Sequence, residues 1–177
     1  MNSAAISAGP ATAPPATAPR LLGLRILLVI VAGLELFESL LGAPMLFDDM
    51  SSFPGPGIGG AIIKLHLAVH PVLALAALIL AALGYVRHAI ITIGAVVLMT
   101  WLSYMPSVAQ HGLDFSGTGL YQSPAQIFAF PLMGASAIAL AARNVWLWLA
   151  AALAGISSFM GVIGMVTFAI GVAIHGF

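Results

Sequence analysis

The sequence predicts an all-α integral membrane protein, a bundle of five transmembrane helices, and three observations carry that prediction. First, 62% of the 177 residues are hydrophobic and 6% are charged, whereas soluble domains run near about 45–50% apolar and about 25% charged. A soluble globule of this size lacks the polar groups to coat itself. Second, the apolar residues fall in five long continuous runs rather than in alternating strands, which excludes a membrane β-barrel. Third, the arginines fall between alternate runs, as a multi-pass topology requires.

Taken in order, residues 1–19 (MNSAAISAGPATAPPATAP) carry no charge and no long apolar run. They are expected to form a flexible Ala/Pro-rich cytoplasmic tail, and without a basic start they do not read as a signal peptide. Residues 20–177 are expected to form the five-helix domain, with spans at about 21–43, 60–86, 89–105, 125–142 and 145–175. Pro44 closes the first span and Pro106 the third. Each span must be a helix, because a backbone in lipid has to pair its own polar groups. The second and fifth exceed the roughly 20 residues a bilayer needs, so they tilt, bend or protrude.

Charge sets the orientation. With the N-terminus cytoplasmic, Arg20, Arg25, Arg87 and Arg143 all face inward, and the C-terminus ends outside. Tyr85, Trp146 and Trp148 then mark the inner interface, and Trp101, Tyr104 and Tyr121 the outer one. The expected location is a bacterial-type inner membrane, multi-pass.

Several functions are excluded by what is missing. Net charge is zero, so no basic surface tracks nucleic acid. The absence of cysteine removes disulfides, thiolate metal sites and iron–sulfur clusters. No Walker, Rossmann or zincin motif occurs.

Local signals refine the spans. Ser123-Pro124-Ala125-Gln126 reads as a capping box, which assigns Gln126 to the cap. Pro71 and Pro131 lie inside spans and release the carbonyls of Leu67 and Ile127, which must find a side chain, a water or a ligand. No internal repeat stands out. Ala150, Ala154 and Ser158, then Ser157 and Gly161, give the fifth span small-residue faces for packing inside the bundle or onto another subunit.

The chemistry-bearing residues gather toward one leaflet. Glu35 and Glu38 lie in the outer half of span one, and Lys64, His66 and His70 in the outer half of span two. His111 and Asp114 follow span three, and His175 ends span five. Charges inside a bilayer cost roughly 2.5–3.5 kcal/mol each on insertion scales, so they face a partner, a cavity or a cofactor. Glu35 and Glu38 share a helix face, as do His66 and His70. Lys64 or a span-two histidine is the expected counter-group.

Three readings stay open. The set Glu35, Glu38, His66 and His70 could hold a metal ion, though without the Glu-x-x-His spacing of di-metal bundles. His66 or His70 could bind a cofactor, haem b or a quinone, with His175 or His111 as a further ligand. Or the histidines simply hydrogen-bond the two glutamates and clamp the helices. Asp48-Asp49 alone is weak evidence for a cation.

The stretch Ile62–Ala82 (IIKLHLAVHPVLALAALILAA), a histidine opening an apolar helix, resembles the haem-ligand helix of small bacterial b-type cytochromes. In that pattern a later helix opens with His-Pro and supplies the second ligand; here Ser123-Pro124 stands at the comparable place. The resemblance covers two short segments and implies a membrane electron-transfer lineage. The function expected is therefore an integral membrane subunit of a larger redox complex, electron-transferring or quinone-linked, in contact with lipid and other membrane subunits. A purely structural accessory subunit is the alternative, and a proton- or ion-linked carrier the third.

Overall fold

The computed structural model describes residues 18–47, 57–113 and 124–175. Most of the expected tail, both long loops with Asp48, Asp49, Asp114, Tyr121 and Ser123, and the last two residues lie outside the described residues. Every described element is helical. α1 spans Ala18–Gly42 and runs into a 3-10 turn at Ala43–Leu46. α2 spans Ile58–Ala82, α3 Val86–His111, α4 Phe130–Ala142 and α5 Leu147–His175. A π-helical turn, Ala125–Ala129, leads into α4. Among the described residues, five helices, the fourth counted together with its π-helical turn, are long and apolar enough to cross a membrane. α1 packs on α2, α2 on α3, α3 on α4, α4 on α5 and α5 back on α1, so the bundle closes.

Two short turns fix the antiparallel order, and they are built alike. After α2, Gly84 takes φ 84°, its N–H reaches the Ala81 carbonyl, and the Tyr85 N–H reaches Leu80. After α4, Asn144 takes φ 55°, its N–H reaches Ala141, and the Val145 N–H reaches Leu140. Both are Schellman ends, which need a residue comfortable in the left-handed region, and glycine and asparagine are the usual choices. Each leaves the last helical carbonyl unmatched. Arg25 of α1 donates to the Ala82 carbonyl, and Arg87 of α3 donates to Ala142 at 2.7 Å. A cation is favourable at that negative helix end.

This likeness extends through both helix pairs as a correspondence of positions, where the residues themselves show no repeat. Arg25 and Pro44 of the first unit stand at the same spacing as Arg87 and Pro106 of the second. Pro71 and Pro131 match in α2 and α4. Buried Leu24, Leu28, Val31 and Ala32 correspond to Val86, Ile90, Ile93 and Gly94, and buried Ala74, Ala77 and Ala81 to Gly134, Ala137 and Ala141. α5 carries the same face once more, with Ala150, Ala151, Ala154 and Ser158 buried. The bundle is thus two α-hairpins of one design followed by a third first helix, all in the same sense. The spacing is 62 in the first helix of each pair and 60 in the second. Few residues are identical, so leucine- and alanine-rich sequence hides the duplication.

The apolar core sits in the half nearest the arginines, formed by Leu24, Leu28, Ile90, Ile93 and the alanines facing them. Ala150 and Ala154 are buried there and Ser158 is buried one turn beyond, so this small-residue stripe packs within the bundle. α3 and α4 approach most closely at Gly94 and Gly134. A Cβ on Gly94 would lie 2.7 Å from Ile138 Cγ1 and 3.1 Å from the Gly134 carbonyl oxygen. Replacing Gly94 with alanine is therefore expected to cost about 1–3 kcal/mol by overpacking, read as a lower unfolding midpoint in detergent.

Two expectations about helix ends change. Span three was to stop at Met105, yet α3 continues through Pro106 to His111. Pro106 is buried, and Gly59 at the start of α2 packs directly against its ring. Tertiary contact thus offsets the proline's missing N–H. Span two was to reach residue 86, but the Gly84 turn ends α2 at Ala82. α5 is long: 29 residues of helix rise about 43 Å, more than the hydrocarbon core, so in a bilayer it tilts or protrudes.

Candidate functional site in the polar half of the bundle

Beyond the apolar core, the helices part around a cavity of about 280 Å³. Its depth is set by Glu35 and Glu38, ten and thirteen residues along α1 from Arg25. α2 contributes His70, α3 Thr100 and Tyr104, the π-turn Gln126, and α5 Ser157 and Gly161. Phe130 and Met160 supply apolar wall.

Glu35 is 4% exposed and has both carboxylate oxygens engaged. His70 Nε2–H donates to Oε2 at 2.9 Å, and the Ser158 hydroxyl donates to Oε1 at 2.6 Å. This ties α1, α2 and α5 together at one level. The counter-group of Glu35 is therefore His70, one of the two expected; the other, Lys64, is exposed. His66 stands one turn away with its ring centroid 4.9 Å from that of His70, tilted by 44°. It buttresses His70 and does not line the cavity.

Glu38 is placed differently. Its Oε1 is buried without a hydrogen-bond partner among the described residues. A Cβ on Gly161 would lie 2.8 and 2.9 Å from its two oxygens, so any larger residue there would push the carboxylate from its present place. Ser157 Oγ and His66 Nδ1 are likewise buried and unpartnered. Buried polar atoms are normally satisfied by protein or ordered water, so each that has no protein partner calls for an explanation. Glu38 and Ser157 both line the cavity.

The prolines matter here as well. The Trp101 indole N–H donates to the Ile127 carbonyl at 3.2 Å, the group Pro131 releases. That fixes α3 to the π-turn and holds Gln126 at the cavity wall. Gln126 was assigned to a cap; with Ser123 outside the described residues, its observed place is the cavity lining.

The other sequence candidates do not join the cluster. His111 is exposed, with its Nδ1 3.3 Å from the Ser107 carbonyl oxygen. His175 ends α5, fourteen residues past Gly161 or about 21 Å of rise, and its side chain lies outside the described residues. Among the described residues, no three His, Asp or Glu side chains are arranged to hold a metal ion. Among the described residues His70 is the histidine lining the cavity, with its Nε2 on Glu35 and the His66 ring beside it, and no second histidine lines the cavity opposite it.

Sequence reasoning missed Thr100, Phe130 and Met160, read Tyr104 only as an interface aromatic, and read Ser157, Ser158 and Gly161 only as packing residues. Thr100 and Tyr104 are four apart on one helix face in an apolar span, a signal that was present.

The two repeat units show what the scaffold itself requires. Val97 stands where Glu35 does, and Phe130 where His70 does. The second hairpin thus packs with apolar residues where the first holds a buried hydrogen-bonded pair. Comparison with known proteins finds no matching family model, no matching curated protein and no matching solved structure.

Proposed function

We propose that the chain is a multi-pass subunit of a quinone-linked electron-transfer assembly in a bacterial-type inner membrane, and that its polar cavity binds the quinone headgroup near the outer leaflet. Supporting this orientation, Arg25, Arg87 and Asn144 border one end of the bundle, which the positive-inside rule assigns to the cytoplasm. The observation that carries the reading is the cavity's uneven chemistry. It offers one uncommitted carboxylate, Glu38, with hydroxyl and amide groups from Thr100, Tyr104, Ser157 and Gln126, between apolar walls. A flat ring bearing oxygens at opposite edges needs such a set: an acceptor for a quinol hydroxyl, donors for a quinone carbonyl, and aromatic surface for the ring.

Oxidation of a quinol to a quinone releases two protons and two electrons. Glu38 accepts one hydroxyl proton in this reading, the second proton leaves to water at the outer face, and both electrons pass to a redox centre on a partner subunit, which is reduced. Glu35 stays committed to His70 and Ser158 and holds the cavity open.

Binding of a short-chain benzoquinol, kept reduced, to the full-length protein in lipid nanodiscs tests it. Saturable binding is expected, weakened about 10- to 100-fold by Glu38→Gln, the loss of a hydrogen bond to a charged group. A protein that binds no quinol, or binds it equally well as Glu38→Gln, refutes the proposal. A purely structural subunit is favoured by one observation, the full satisfaction of Glu35; it predicts that only stability responds to changes at Glu35 and His70.

A further inference from the structure

A second cavity, of about 550 Å³, opens at the arginine end of the bundle, far from Glu38. Arg25 and Arg87 line it with Tyr85 and Asn144, and Leu22 and Leu147 give it apolar walls. Each arginine spends one N–H on a helix-end carbonyl. A guanidinium has five N–H donors, so most remain for a ligand. Those carbonyl contacts also fix the two cations in place, at equivalent positions of the two repeat units.

The charge is not balanced locally. Among the described residues the carboxylates are Glu35 and Glu38, which lie about 15 and 20 Å along α1 from Arg25, beyond the apolar core. A helix C-terminus supplies only about half a negative charge to each arginine. The cavity also continues onto bare apolar surface: Leu21 is 48% and Leu22 56% exposed. Paired cations at a helix end beside an open apolar wall match a molecule with an anionic head and an acyl tail.

We propose that this cavity binds the phosphate headgroup of an anionic phospholipid, with Arg25 and Arg87 as the phosphate ligands. Basic pockets between membrane helices on the cytoplasmic side suit such headgroups, and arginine offers phosphate two parallel hydrogen bonds. The acyl chains then run along Leu21 and Leu22. The inference is independent of the quinone reading, since it shares no residue with that cavity.

The full-length protein in detergent micelles is titrated with phosphatidylglycerol, phosphatidylcholine or inorganic phosphate while its unfolding midpoint is followed. Phosphatidylglycerol is expected to raise the midpoint saturably at concentrations where phosphatidylcholine and inorganic phosphate do nothing. The Arg25→Gln/Arg87→Gln variant should need about thirtyfold more of it. Arg143→Gln removes a neighbouring charge that does not line the cavity, and it should leave the titration unchanged. Equal effects of the two lipids on the wild-type protein overturn the proposal, as does weakening by Arg143→Gln equal to that of the double variant. An effect of inorganic phosphate alone, lost in the double variant, shows an anion site and overturns the lipid. If the double variant does not fold, the comparison of lipids on the wild type and on Arg143→Gln decides.

Discussion

Glu35→Val is expected to lower stability by about 3 kcal/mol, and adding His70→Phe to restore most of it. The single replacement removes the acceptor of two hydrogen bonds. It leaves His70 at 8% exposure and Ser158 at 1%, both stripped of their partner. Removing one member of a buried pair is far more costly than replacing both with apolar groups of similar volume. The second hairpin already performs the double replacement, with Val97 and Phe130 at the equivalent places. Thermal unfolding of the two variants beside the wild type measures the difference. A double variant as unstable as Glu35→Val would mean that the scaffold needs the pair.

Gly161→Leu is expected to abolish quinone binding, the largest functional effect of any single change considered. Even the first added carbon would meet both Glu38 oxygens inside 3 Å. The remaining carbons would enter a cavity of only about 280 Å³, already at the small end for organic ligands. Glu35, His70 and Ser158 are not displaced by this change, so the tie between α1, α2 and α5 persists. Binding isotherms with a short-chain benzoquinone, set beside unfolding midpoints, separate the two effects. Retained binding in a folded Gly161→Leu protein would place the headgroup elsewhere.

The bundle was legible in the sequence for a simple reason. Hydropathy acts over twenty-residue stretches, and neither turn chemistry nor packing can override it in lipid. The depth of the polar residues was legible too, because helix rise converts sequence position into height. That is how the two glutamates could be set opposite Lys64 or a span-two histidine before any coordinates. What height does not give is the direction a side chain faces. Lys64 lies at nearly the right depth and turns out exposed, while Ser158, read as a small packing residue, completes the Glu35 cluster. Gln126 was assigned from its local motif, yet the Trp101–Ile127 contact, which depends on a helix far away in sequence, sets its place at the wall. Pro106 misled in the same way: a local helix breaker is tolerated where Gly59 packs against it. The duplication stayed hidden because its signature is structural, two matching arginine-to-carbonyl contacts and two matching Schellman turns, with little residue identity to betray it.

Duplication also sharpens the choice between clamp and site. A fold that builds a similar hairpin twice, once with Glu35 and His70 and once with Val97 and Phe130, shows that the hairpin can pack without the polar pair. Titrating the Glu35→Val/His70→Phe protein with a short-chain benzoquinone puts that to the test most directly. The account predicts a protein about as stable as the wild type that no longer binds the quinone. Undiminished binding by that folded protein would contradict it.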